Sequence, residues 1–517
     1  MPDQGPAYCD DLRALVRRLG KPPVEWQRRD LVELCISDGF RVLNLHFLAL
    51  DGKLKELRVP INARAGLDRV LAAGERVSGS TFLPGLLSAG ASDLYVVPVY
   101  RWAFLNPWAA DEMDIVCRFA DRTGAPCQLT PDNVLAAVTT RMRRNSGLAL
   151  HGLAELEFYL ITERMDERFR GLPQRNYHQG APYLHCRAIL DEILRVVSSV
   201  TGSVKYCHGE TGYIDRLESE DPELDGRRAE QCEVEFELLP IEDLACWMAV
   251  ARWLIRTIAD RHNASATFAP KLDEGMAGSG MHLHLALFRD GRNVMLDAER
   301  EGGLSAEAES LIGGLLTHAS ELCAFGNAVA ASYLRLVPNQ SAPTSVCWGR
   351  HNRSSLVRVP LGFDIAGRVD QVFNPEERGD LPGDLSRQTV EFRGPDGCAF
   401  PHLLLAALAA CVEDGLLGET SLGTVKGLHV EGDVSGQAEL LSKLPKLPNS
   451  AAEAARALAE HRAFFEERAF PASLLDLVIA KLREEDDEGL AQKLRTMPAD
   501  ERLRHMRRLM HKDLHKQ

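Results

Sequence analysis

A chain of 517 residues, 45% apolar and 26% charged, has material for two or three domains and a large buried core. Its formal net charge of -14 argues against a nucleic-acid binder, and its most apolar run, around Leu403 to Cys411, is too short to span a bilayer. Its twelve cysteines are scattered without a C-x-x-C pair, which argues against a zinc ribbon and suits a reducing, cytoplasmic setting.

The N-terminus, Met1-Pro2-Asp3-Gln4, has no basic-then-apolar signal pattern. Residues 1–30 read as a leader, with a helix over Asp10 to Leu19 and a polar linker. Phe40 to Phe47 alternates as a strand, Asp51-Gly52 is a hairpin turn, and Leu54 to Val59 returns. A helix follows over Leu67 to Ala73 and a strand over Asp93 to Val99. These belong to a small domain over 31–140. Thr130 is placed to cap a helix that starts at Pro131. A larger domain is expected over 141–483, with helices over Ile241 to His262 and Ala306 to Phe325. Within it, residues 211–230 form an acidic, turn-rich insertion that reads as a solvated loop. The tail, 484–517, is rich in Arg and Lys and reads as a solvated helix face.

The chemistry-bearing residues sit in alternating segments. In an extended Gly278-Ser279-Gly280-Met281-His282-Leu283-His284, the two imidazoles share one face while Met281, Leu283 and Leu285 share the other. Glu155-Leu156-Glu157 puts two carboxylates on one face, and Glu391-Phe392-Arg393 a carboxylate and a guanidinium. Glu233-Val234-Glu235-Phe236-Glu237 alternates likewise. Any one such pattern is commonly a solvated strand face. Four with apolar residues opposite predict a polar hollow ready for metal.

Longer motifs carry a resemblance. Phe268-Ala269-Pro270-Lys271 followed by Gly278 to His284 resembles the ATP-binding signature region of glutamine synthetases. Arg335-Leu336-Val337-Pro338, then Ala342-Pro343, Trp348-Gly349-Arg350, Asn352-Arg353-Ser354 and Arg358-Val359-Pro360, is similar to that family's next block. Glu391-Phe392-Arg393-Gly394-Pro395-Asp396 is similar to the one after it. The blocks keep the family's order over residues 35–483.

The resemblance implies an α+β fold: an N-terminal β-grasp-like domain, then a catalytic domain with a curved antiparallel sheet and surrounding helices. It implies two or more Mg²⁺ or Mn²⁺ ions per site and ATP as a substrate. Glu157, Glu210 and Glu233 would hold one metal, and Glu155, His282 and Glu391 the second. Arg353 and Arg393 would meet phosphate. Arg335 and Arg358 would lie near the substrate carboxylate and phosphoryl group, with His284 and Gly278 beside the phosphates. It also implies a homo-oligomeric ring, a dodecamer where two hexamers stack, with each site shared between neighbouring chains.

The departures from the family pattern are selective. The family's flap glutamate is Ser341 here, and its other ammonium-binding acid aligns with Ser78. Ala277 stands where an asparagine is usual, and Thr389 where an arginine is usual. The expected metal ligands and phosphate arginines persist while the ammonium-site acids do not. Positioned acid–base groups contribute roughly 10²–10⁴-fold, so ammonia is a poor candidate for the amine. Three activities stay open: an ATP-dependent carboxylate–amine ligase acting through an acyl phosphate on another amine, an ATP-dependent phosphotransferase without ligation, and a non-catalytic relative.

Overall fold

The structure is a computed structural model that describes residues 13–164, 168–300, 302–337, 342–362, 368–380, 387–418, 421–434 and 437–516. The N-terminal sheet contains β1 (Val42–Leu48), β2 (Leu54–Pro60), β3 (Glu75–Ser78), β4 (Asp93–Leu105) and β5 (Glu112–Ala120). Its order is β2-β1-β5-β4-β3, with β1 and β5 parallel and the other pairs antiparallel. The helix Arg64–Ala73 covers one face through Leu67, Val70 and Leu71. Of the expected leader helix, Ala14–Leu19 lies in the described residues. Its Leu15 and Val16 share a core with Leu43, Leu45 and Trp26 instead of joining a polar linker.

The helix Pro131–Ser146 begins where the sequence places it, with Thr130 at the N-cap. The Thr130 hydroxyl does not cap it. It donates to the Cys127 carbonyl at 2.9 Å.

Among the described residues the larger sheet has ten strands: β6 (Ala149–Thr162), β7 (Val204–Ile214), β8 (Arg228–Phe236), β9 (Leu239–Pro240), β10 (Ser265–Thr267), β11 (Met281–Arg289), β12 (Arg292–Asn293), β13 (Trp348–Arg350), β14 (Val357–Val359) and β15 (Val390–Phe392). Its main path is β13-β14-β15-β11-β6-β8-β7, antiparallel except between β13 and β14. One face is apolar. Leu156, Phe158, Val234, Phe236, Leu283 and Leu285 pack in the same core as the long helix Ile241–Arg261. The alternate residues of these strands face the other way, and there the polar groups collect.

Three further expectations need correction. The helix expected over 306–325 is two, Ala306–Thr317 and Ala319–Gly326, interrupted at His318. His318 leaves helical geometry, stacks on Phe464 and meets Asp414 at 3.0 Å through Nε2. The acidic insertion is not a free loop: β7 runs on to Ile214, and Leu217 and Leu224 are buried with Ile161. Nor is the basic tail only a solvated face. Its helix Ala499–His511 buries Met506 and Met510 and pairs Arg507 with Glu218 of that insertion. Among the described residues, no helix is long and apolar enough to cross a membrane, and every cysteine from Cys35 to Cys411 is unpaired.

Candidate active site

Strand register builds the site. His282 of β11 lies opposite Glu155 of β6, and His284 opposite Glu391 of β15. On the other side of β6, Glu157 lies opposite Glu233 and Glu155 opposite Glu235 of β8. Side chains on one face of adjacent strands are neighbours, so four short alternating motifs become one continuous polar surface.

At one end of this surface, His282 Nδ1 lies 2.6 Å from Glu155 Oε2, and His284 Nε2 lies 3.0 Å from Glu155 Oε1. Donor atoms of Glu155, His284 and Glu391 fall within 4.8 Å of one another. His282 adjoins the same group, 3.7 Å from Glu391. Glu391 has no exposed surface; Arg358 reaches its Oε2 at 2.7 Å and Arg393 its Oε1 at 2.5 Å. Burial pushes this carboxyl up, but Arg393 and the two imidazoles outweigh burial and hold it down to about 2. Glu155 is held well below the usual carboxylate range: burial raises it, and the two histidine hydrogen bonds more than reverse that.

The other end has less positive charge. Donor atoms of His208, Glu210 and Glu233 lie within 4.8 Å of one another, with His208 Nε2 at 3.1 Å from Glu233. Glu157 sits beside them, accepting from the Gly280 amide at 2.7 Å and from Gln231 Nε2 at 3.0 Å. Burial, helped by the charges of Glu233 and Glu210, pushes Glu157 up to about 7 despite His282. Glu233 is also pushed up to about 7, by burial first and then by Glu155 and Glu210, against His208. Carboxylates gathered against their own repulsion, with imidazole nitrogen among them, fit a hard divalent cation.

These groups line or adjoin a cleft of about 1060 Å³. Glu157, Glu210, His282, Gly278, Arg335 and Arg353 lie in its wall. Arg335 is buried, donates to the Gly394 carbonyl at 2.9 Å and crosses close over the Gly278–Gly280 turn. A Cβ on Gly278 would lie 2.8 Å from Arg335 Cγ, and one on Gly280 2.7 Å from its Nη2. At Gly278 the Pro270 carbonyl is closer still, 2.6 Å from such a Cβ, so backbone as well as the arginine excludes a side chain there, while at Gly280 the arginine tip would have to shift. Arg353 is exposed and makes no hydrogen bond or ion pair among the described residues, so its cation is open to the cleft.

Of the expected site residues, Glu157, Glu210, His282, Gly278, Arg335 and Arg353 line the cleft; Glu155 and Glu391 meet His282, Glu233 groups with Glu210, His284 bonds Glu155, and Arg358 and Arg393 connect through Glu391. The departures fall as follows. Ala277 lines the wall, and Thr389 lies 2.9 Å from His284 Nδ1 through its hydroxyl. Ser78 is exposed at the end of β3 and is not among the lining residues. Ser341 lies outside the described residues. Sequence reasoning missed His208 and Gln231. The signal was present for both: His208-Gly209-Glu210 repeats the i, i+2 spacing of His282 and His284, and Gln231 extends the Glu233, Glu235 series backwards by two.

Comparison with known proteins agrees with the geometry. Residues 128–497 match the family model described as glutamine synthetase, catalytic domain. The glutamine synthetase of Thermus thermophilus is 26% identical over 403 residues, covering 76% of this chain and 80% of its own. That of Pyrococcus horikoshii is 28% identical over 376 residues, covering 73% and 74%. Among solved structures, ligand-free GmaS superposes with a TM-score of 0.71 at 23% identity, covering 91% of this chain and 98% of its own. The Plasmodium falciparum glutamine synthetase gives 0.70 at 18% identity, covering 92% and 98%; at such identities these two likenesses speak for the fold. The match across most of the chain, on the very strands that carry the clustered ligands, places this protein in the glutamine synthetase family of ligases.

Proposed function

We propose that this protein is an ATP-dependent ligase that joins a carboxylic acid to an amine other than ammonia, through an acyl phosphate. The observation that carries the reading is the cleft itself, where two carboxylate–imidazole groups stand side by side with Arg335, Arg353, Arg358 and Arg393 around them. That is the charge pattern needed to hold ATP phosphates and to accept a phosphoryl group in transit.

In this reading Glu155, His282, His284 and Glu391 hold one cation, and Glu157, Glu210, Glu233 and His208 hold another. Mg²⁺ or Mn²⁺ there would neutralise phosphate charge and align the transferring group. Arg353, with its guanidinium open to the cleft, meets the transferring phosphoryl group. Arg335, packed over the Gly278–Gly280 turn and lining the cleft, holds the substrate carboxylate. Arg393 and Arg358 offer positive charge beside the phosphates while keeping Glu391 ionised. Ser341 in place of an acid removes negative charge that would hold an ammonium ion, and Ser78 would do the same in a site shared between neighbouring chains, which supports an amine other than ammonia. The family's assembly supports a homo-oligomeric ring, and the scattered unpaired thiols fit a cytoplasmic setting.

The test is ADP release from ATP with Mg²⁺ or Mn²⁺ across a panel of acids and amines, with Arg353→Ala as control. Turnover that requires one acid and one amine, and falls by about 10²-fold or more in the control, is the expected result. Turnover with the acid alone would replace ligation by phosphoryl transfer. Nucleotide binding without turnover on any pair would make the chain a non-catalytic relative.

A further inference from the structure

The matched catalytic domain ends at residue 497, and the helix Ala499–His511 lies beyond it. This helix packs against the two segments that form one wall of the cleft. On one side, Met506 and Met510 bury against Leu334, the residue before Arg335, in a small core completed by Leu494. Lys512 meets Glu485 Oε2 at 2.6 Å, and the same oxygen accepts the amide of Ala330, the first residue of the helix Ala330–Arg335. On the other side, Arg507 grips Asp273 with two parallel bonds, Nε to Oδ1 and Nη2 to Oδ2, both 3.0 Å. The carbonyl of Leu272 accepts from His511 Nε2 at 2.9 Å. Residues 275–278 follow directly and line the cleft.

The acidic insertion completes the arrangement. Glu218 pairs with the remaining Arg507 nitrogen, Glu220 with Arg508, and the Ser219 hydroxyl lies 3.0 Å from His511 Nδ1. Two segments that each look like unpaired charge in the sequence are thus one another's partners. They converge on Asp273, which is 8% exposed and has both oxygens bonded by a single planar guanidinium. Such a fork fixes orientation as well as distance.

We propose that Arg507 is a positioning residue for the cleft. It does not touch substrate; it holds the 272–278 turn against Arg335, so that Gly278 and Gly280 present the arginine in one geometry. The C-terminal helix braces both partners of that contact, one through Asp273 and one through Leu334. The inference draws on the proposed ligase activity for its kinetic test alone, since the rigidity of the turn can be measured without any substrate.

The experiment uses the full-length protein with Arg507→Ala, Arg507→Lys, Asp273→Asn and Arg508→Ala. Amide hydrogen exchange over 272–280 is read first. Arg507→Ala and Asp273→Asn should each speed exchange there by about tenfold, the double variant should add little to either, and Arg508→Ala should change nothing. Arg507→Lys keeps the charge but not the fork and should recover part of the protection. With the acid and amine found by the ADP assay, the KM for the acid should rise by about tenfold in Arg507→Ala while kcat moves less. Wild-type exchange over 272–280 in a folded Arg507→Ala protein would overturn the proposal, as would a fall in melting temperature with KM unchanged. If Arg507→Ala does not fold, Asp273→Asn, which preserves side-chain shape, decides by the same two readings. If no acid–amine pair turns over, the ligase reading fails and the exchange result alone decides this one.

Discussion

A carboxylate shut away from water needs cations or hydrogen-bond donors on its oxygens, and Glu391 has Arg393 on one and Arg358 on the other. Removing its charge strands two guanidiniums in a largely buried place. Glu391→Gln is therefore expected to cost roughly 2–5 kcal/mol of stability, read as a lower urea midpoint. Glu157 is in the opposite situation: its carboxylate is ionised only against the push of burial, Glu233 and Glu210. A glutamine there still offers an oxygen to the Gly280 amide. At pH 8 without metal, Glu157→Gln should stabilise the protein by about 1–2 kcal/mol while weakening Mn²⁺ binding. Equal destabilisation by both substitutions would refute this division of the cleft into a compensated and an uncompensated end. Gly280→Ala tests the neighbouring contact. Its Cβ would stand 2.7 Å from Arg335 Nη2 and 2.9 Å from His282 Nε2, so both side chains must give way. A drop in turnover of at least about tenfold is expected, with a stability cost of roughly 1–3 kcal/mol.

At the scale of elements, the helices Ala306–Thr317 and Pro401–Leu417 cross so closely that each needs a glycine. A Cβ on Gly314 would lie 2.1 Å from the Cys411 carbonyl, and one on Gly415 2.1 Å from that of Ser310. The obstacle is backbone, which cannot rotate aside. Gly314→Ala should therefore destabilise more than an ordinary core substitution, by about 3 kcal/mol or more, read from thermal unfolding. This crossing was invisible in the sequence, where both stretches show only apolar faces. What the sequence did show follows a local rule. Glu155 and Glu157, His282 and His284, and Glu391 and Arg393 share faces because strand residues alternate, and the family's motifs then supplied their order. His208 obeyed the same rule and was overlooked for want of a matching motif. The break at His318 was not legible because its causes, Phe464 and Asp414, come from distant segments. The pairing of Glu218 with Arg507 likewise spans 289 residues. Local pattern shows that each segment is charged, and only the fold shows that the charges meet.

For the whole molecule, the two ends of the cleft set opposite limbs of a stability–pH curve. Glu391 and Glu155 have folded values below the ordinary carboxylate range, so their contribution is present above about pH 4.5 and is lost as pH falls toward the folded values. Glu157 and Glu233 have folded values near 7. Between about pH 4.5 and 7 the folded chain holds protons there that the unfolded chain has released, so folding takes up protons and stability falls as pH rises. With EDTA present, the melting temperature should peak near about pH 5 and decline toward pH 8. Divalent metal needs the ionised carboxylates, so its affinity should rise over the same interval. At a hundred times its dissociation constant a ligand adds about 2.7 kcal/mol to the folded state, enough to offset roughly half of the decline. Saturating Mn²⁺ should therefore flatten the alkaline limb, raise the melting temperature more at pH 8 than at pH 5.5, and do so far less in Glu157→Gln and Glu210→Gln. A metal-induced rise of the same size at both pH values would mean that the cation binds away from these carboxylates. The metal assignment in the proposed mechanism would then fall, while the strand register that gathers the residues would stand.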